Sequence, residues 1–163
     1  MIQLFHVCKY YDRRPALIDV TLHVDKGDFV LLMGPSGAGQ TTKMINQAIV
    51  GAGYVLMAEA LMLAERAGID AARLPQCLAG GHADSSLLQR LYPQMQARDF
   101  EPPRSYARQL LKDMKAVKAF AHDLGLDLEV VEKAAEQYAA FVEQGNEMSD
   151  SASVIRLYEN RTG

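Results

Sequence analysis

From Thr41 to its end this chain repeats its apolar residues about every 3.6 positions, whereas up to Gly39 they alternate or run together in short blocks. A period of 3.6 puts one apolar stripe on each of several helices, and such stripes can be buried only against one another. The first 39 residues carry the period of strands. The expected fold class is therefore mainly α: six helices built round a long central one, preceded by a short three-strand β segment. The expected division is a β-rich unit over residues 1–39 and an all-α unit over residues 40–163.

The strands are expected at Met1–Tyr11, at Ala16–Val24 and at the apolar run Phe29–Met33, with a turn at Lys26-Gly27-Asp28. The first helix should run from about Gln40 to Arg66 and close at Gly68. Its Gly51 and Gly53 each cost about 1 kcal/mol of helix propensity, so packing must compensate. Asp70 can cap a short helix reaching Leu78, and Ser85 or Asp84 the next, to about Met95. Ser105 should open a long helix that stops at Gly125. Asp127 should cap another, with Val130, Val131, Ala134, Ala135 and Tyr138 turned inward, and Asp150 or Ser151 should start the last.

At 163 residues with a net charge of −3, the chain has no general attraction to nucleic acid or anionic lipid. Cys8 and Cys77 stand apart from each other and from histidines, so they are expected as small buried or half-buried hydrophobes rather than metal ligands. No metal site is expected, and no secretory signal opens the sequence, which implies a cytoplasmic protein. Ile45–Ala64 has the length of a membrane span. Asn46, Gln47 and Glu59 oppose insertion, so a buried central helix is expected instead.

Gly34 to Thr41 keeps the spacing of a phosphate-binding loop, G-x-x-x-x-G-K-[ST], except that Gln40 stands where the lysine belongs. Gly34, Gly37, Gly39 and Thr41 fit; the charge that would neutralise a triphosphate is missing. With the strand before it, this segment resembles the opening of an ABC transporter ATPase of the cell-division type, a family that stacks an aromatic ring on adenine where Tyr11 stands. No Asp-Glu-terminated strand follows to hold magnesium, so ATP is not expected as a cofactor.

The same residues also read Gly37-x-Gly39-x-x-x-Lys43-x-x-Asn46-Gln47. This pattern resembles the catalytic segment of the β-hydroxyacid dehydrogenases, the family of 3-hydroxyisobutyrate dehydrogenase and tartronate semialdehyde reductase. The resemblance continues in order through Met57–Leu61, Ala67–Asp70, Gly80–Ser85, Arg98-Asp99-Phe100, Lys112-Asp113-Met114 and Asp150-Ser151-Ala152. It implies Lys43 as general acid/base, Asn46 or Gln47 as substrate ligands, and Lys112 and Asp150 as contacts to NAD or NADP. It also implies a small 3-hydroxy acid as substrate and a homo-oligomeric assembly.

Read without the resemblance, Lys43 is a solvated lysine at a helix start, Lys112 one of several lysines on an amphipathic helix, and Asp150 a helix cap. The family's Rossmann half, with its G-x-G-x-x-G, is not in the sequence, so an isolated C-terminal domain with little turnover of its own is expected. Two other functions stay open: a nucleotide-binding module with a degenerate phosphate loop, and a non-catalytic helical dimerisation module.

Overall fold

The computed structural model describes residues 2–12, 14–28 and 38–159. It divides into two compact units, Met1–Gly39 and Gln40–Gly163.

In the first unit, β1 (Ile2–Tyr11) and β2 (Arg14–Val24) form an antiparallel hairpin in which Ile2 faces Val24, Leu4 faces Leu22 and Val7 faces Val20. The register slips between Leu4 and Val7, where His6 takes a φ of +49°, and again between Val7 and Lys9, where Asp19 on the other strand takes +51°. His6 Nδ1 meets Asp19 Oδ1 at 2.6 Å, and Cys8 Sγ accepts from the Asp19 amide. Gly27, at φ +98°, makes the expected turn. The third expected strand, Phe29–Met33, lies outside the described residues.

The second unit is helical. Helix α1 (Ala38–Arg66) is followed by a 3-10 turn (Ala71–Arg73) and α2 (Leu74–Leu78), then by a π turn (Leu87–Leu91) and α3 (Tyr92–Gln96). Helices α4 (Ala107–Asp123) and α5 (Glu129–Phe141) pack against each other, and a 3-10 turn (Ser151–Ile155) leads into α6 (Arg156–Glu159). Val55, Ala58, Leu61 and Ala64 of α1, Met114 and Val117 of α4, Tyr138 and Phe141 of α5, and Val154 and Ile155 share one core.

Helix α1 is long and apolar enough over Gly39–Arg66 to cross a membrane by length and composition. It is central to its unit but open along one side. Ile45, Ile49, Leu56 and Leu63 are exposed, and at 3.6 residues per turn they fall within about 40° of one another, opposite the buried face. The expectation of a helix enclosed all round is thereby corrected to one buried face.

Gly51 and Gly53 have the packing the sequence required. A Cβ on Gly51 would stand 2.8 Å from Cγ and Sδ of the fully buried Met114, and one on Gly53 would overlap Leu87.

The helix ends show local and remote control. Gly68 (φ +70°) and Gly125 (φ +71°) close α1 and α4, each followed by an amide that reaches back five residues: Ile69 to the Ala64 carbonyl and Leu126 to that of Ala121. After α3 the same motif falls on Arg98, whose φ of +53° is a conformation usually left to glycine. Its side chain offsets that cost: the guanidinium donates to both oxygens of Glu65, to Glu159 at 2.6 Å, and to the carbonyls of Met95 and Gln96.

Four expectations change. Helix α4 starts at Ala107 instead of Ser105, with no side-chain cap; its Ala107 and Arg108 amides donate to the carbonyls of Ser149 and Glu147. Helix α5 starts after Leu128 without a side-chain cap, so Asp127 is not its cap. Val130 is 74% exposed, because the start of α5 projects past the core. Cys8 and Cys77 are exposed.

Two buried tyrosines differ in their hydroxyls. Tyr138 Oη donates to the Ser151 carbonyl at 2.7 Å, and burial, with the charge of Asp150 among its neighbours, pushes its phenol well above the usual range. Tyr92, equally enclosed, has no hydrogen-bond partner for its hydroxyl among the described residues. Leaving a buried hydroxyl unpaired carries a desolvation penalty, whereas a made bond contributes about 1 kcal/mol net. Tyr92→Phe is thus expected to be neutral or up to about 1 kcal/mol more stable, and Tyr138→Phe about 1 kcal/mol less stable. Urea midpoints of the two variants test the contrast; a loss at Tyr92→Phe equal to that at Tyr138→Phe would refute it.

Candidate functional site

The first turns of α1 carry Lys43, Asn46 and Gln47, and α4 carries Gln109, Lys112 and Asp113. Helical spacing sets Lys43, Gln47, Gly51 and Tyr54 on one face of α1, the face turned to α4. Three contacts define that seam. Gln47 Nε2 donates to Asp113 Oδ2 at 2.7 Å, Gly51 admits Met114, and the Tyr54 hydroxyl shares a hydrogen bond with Ser105. Burial raises the Tyr54 phenol, and the Ser105 bond partly offsets the rise.

Gln47 is thus held against the residue next to Lys112, although 66 positions separate Gln47 from Asp113. Asn46 Nδ2 donates to Gln47 Oε1 at 2.9 Å, and Gln109 Nε2 to Asp113 Oδ1 at 3.2 Å. Asn46, Gln47 and Asp113 are half-buried, while Lys43 and Lys112 are exposed. Two exposed lysines therefore stand on the two helices that the Gln47–Asp113 bond joins, beside a fixed amide pair. Such a set can donate hydrogen bonds to an anionic or carbonyl-bearing ligand and exchange a proton through a lysine amine.

Asp150 is placed differently. It is 2% exposed, and its two carboxylate oxygens accept from the backbone amides of Arg104 (2.6 Å) and Ala152 (2.7 Å). Its own carbonyl accepts from the Ser153 amide and hydroxyl. This carboxylate fastens the loop before α4 to the last 3-10 turn.

Of the phosphate-loop residues, Gly34 and Gly37 lie outside the described residues, as does the side chain of Tyr11. Gly39, Gln40 and Thr41 stand in the first turn of α1, with Gln40 exposed. Among the described residues no group of three His, Cys, Asp or Glu side chains could hold a metal ion. An open concavity of about 340 Å³ lies elsewhere, lined by Asp127, Leu128, Glu129, Val130 and Val131.

Sequence reasoning did not assign roles to Asp113 and Gln109. The i, i+4 spacing of the two along α4 was available as a signal; the link to Gln47 was not, since it depends on how α1 and α4 cross.

Comparison with known proteins supplies the remaining context. Residues 37–158 match the family model described as NAD-binding of NADP-dependent 3-hydroxyisobutyrate dehydrogenase. The chain is 32% identical over 133 residues to 2-hydroxy-3-oxopropionate reductase of Escherichia coli, covering 82% of this chain and 45% of that protein. It superposes on 3-hydroxyisobutyrate dehydrogenase from Salmonella typhimurium with a TM-score of 0.69 and 27% identity, over 74% of this chain and 42% of that one. The chain spans about half the length of the curated relatives it matches over its helical unit. A separate, shorter likeness, 54% identity over 46 residues, relates 27% of this chain and 20% of the other to the cell division ATP-binding protein FtsE of Mycobacterium tuberculosis. With three quarters of its length inside one family model and its helical unit sharing that family's fold, the chain belongs to the NAD-binding family of NADP-dependent 3-hydroxyisobutyrate dehydrogenases.

Proposed function

We propose that this chain is the helical, NAD(P)-binding portion of an enzyme that interconverts a small 3-hydroxy acid and its semialdehyde. The observation that carries the proposal is the Gln47–Asp113 contact, which holds the Lys43 end of α1 beside the Lys112 stretch of α4. Exposed amines and half-buried amides fit the nicotinamide end of a dinucleotide and a hydroxy acid beside it. The nicotinamide group, when bound, supplies the hydride acceptor or donor. Lys43 Nζ takes the hydroxyl proton or returns it, Asn46 or Gln47 orients the substrate, and Lys112 donates to the cofactor. Asp150 enters this scheme by holding the α4 entrance in place.

The exposed row Ile45, Ile49, Leu56 and Leu63 supports a homo-oligomer, because a contiguous apolar stripe along one helix is unfavourable in water and self-complementary across a two-fold axis. The same reading assigns the chain to the cytoplasm, uninserted in membrane. Sedimentation velocity is expected to show a dimer or larger at micromolar chain; a monomer at all concentrations would refute the assembly.

Calorimetric titration of the full chain with NADP, NAD and ATP tests the cofactor assignment. Binding of NADP or NAD is expected, weakened about tenfold by Lys112→Ala, since a charge-assisted hydrogen bond is worth about 1.5 kcal/mol or more. Lys43→Ala is expected to leave that binding within about threefold, because a proton-transfer residue acts on the substrate, while abolishing any turnover. ATP binding restored by Gln40→Lys, with no response to either nicotinamide nucleotide, would favour the nucleotide-loop reading to which the FtsE likeness points.

A further inference from the structure

We propose that Asp113 is a positioning residue that fixes which atoms Asn46 and Gln47 present to a ligand; this rests on the hydroxy-acid reading above. A carboxylate can only accept hydrogen bonds, so the Gln47 group facing it at 2.7 Å must be the NH₂ and not the carbonyl. Gln47 Oε1 is then turned to Asn46, which answers with Nδ2 at 2.9 Å. Asn46 in consequence keeps Oδ1, an acceptor, for whatever binds beside it. Had Gln47 the opposite sense, Asn46 would offer its NH₂ instead, and the site would favour an acceptor over a hydroxyl donor.

Gln109 completes the arrangement by donating to Asp113 Oδ1, which leaves Oδ2 for Gln47 and stops the carboxylate from rotating. One negative charge on α4 thereby sets the polarity of two neutral amides on α1.

Side-chain amide resonances of the ¹⁵N-labelled full chain test this. Gln47 is assigned by its loss in Gln47→Glu, and Asn46 by its loss in Asn46→Asp. Asp113→Asn keeps the shape of the side chain but can donate, so it releases the constraint. It is expected to shift the side-chain amides of both Gln47 and Asn46 while the Gln89 amide, held by the Pro75 carbonyl and Asp84, stays in place. A shift at Gln47 with none at Asn46 would overturn the relay.

A stability cycle gives an independent readout. Gln47→Glu sets two carboxylates against each other and is expected to reduce the folded-to-unfolded ratio about tenfold in the wild-type background and hardly at all with Asp113→Asn. An equal loss in both backgrounds overturns the proposal. Titration with 3-hydroxyisobutyrate separates the two levels. A perturbation of Asn46 present in wild type and lost in Asp113→Asn supports positioning, and an equal one in both overturns it. Perturbation in neither, with the resonance and cycle results as expected, sinks the hydroxy-acid reading and the ligand role of Asp113 together, leaving only a structural bond.

Discussion

Asp150→Ala is expected to destabilise the helical unit by about 3–5 kcal/mol, the largest effect of any single polar substitution in it. The removed carboxylate leaves the half-buried Arg104 amide and the fully buried Ala152 amide without acceptors. Hydrogen bonds to a charged group contribute about 1.5–3 kcal/mol each, and loss of an N-cap alone costs about 1. The damage should spread, because Ser151, one residue on, donates its amide to the Ser105 carbonyl and accepts from Tyr138. Asp150→Asn retains one acceptor oxygen and should recover about half of the loss. Urea unfolding with an unchanged slope would measure both. Wild-type stability in Asp150→Ala together with weakened NAD(P) binding would instead support the cofactor contact that the resemblance implies for Asp150.

Gly51→Val is expected to cost about 3 kcal/mol, at the upper end for overpacking, and to show the same loss in thermal unfolding. Valine is a better helix former than glycine by a few tenths of a kcal/mol, so propensity alone predicts a gain. Packing opposes it: Met114 lies with Cγ, Sδ and Cε at 2.8 to 3.0 Å from where the first added carbon would sit, and it is wholly buried. Truncating the obstacle should therefore help. Gly51→Val combined with Met114→Ala is expected to be more stable than the sum of the two single losses predicts, the mark of residues in direct contact. A stabilised Gly51→Val would mean that α1 and α4 do not approach so closely.

These substitutions bear on function as well as stability. Gly51 and Gln47 lie one turn apart on the same face of α1, so the close approach that glycine permits is what brings Gln47 within reach of Asp113. Without it the helix separation would grow by about the size of the added group, and the amide pair would lose its anchor. Arg98 serves a comparable end at the far end of α1, tying Glu65 to Glu159 while accepting a backbone conformation that glycine takes more readily.

Local chemistry was legible wherever a feature depends on residues within about one helical turn. The change of period near Thr41, the glycine ends at Gly68 and Gly125, the caps at Asp70 and Asp150, and the length of α1 follow from spacing and from the conformations glycine and aspartate prefer. The order of motifs from Lys43 to Ala152 carried the family likeness for the same reason: each is short and contiguous. Three readings failed where a contact between distant segments overrides local preference. Ser105 yields the start of α4 to carbonyls more than forty residues later, Val130 stands outside a core that ends at Val131, and the two cysteines fall on exposed positions of their elements.

Residue order by itself determined that the chain is helical beyond Thr41, where its helices end, and that Lys43 and Lys112 carry a dehydrogenase pattern. Tertiary contacts decided the rest: the approach of α1 to α4 brings Gln47 to Asp113, and the meeting of the loop before α4 with the last 3-10 turn encloses Asp150 and occupies its oxygens. A helix period reports only which side chains share a face. Which face meets which depends on complementary shapes, here a glycine opposite a methionine, and that complementarity exists only once both segments are folded.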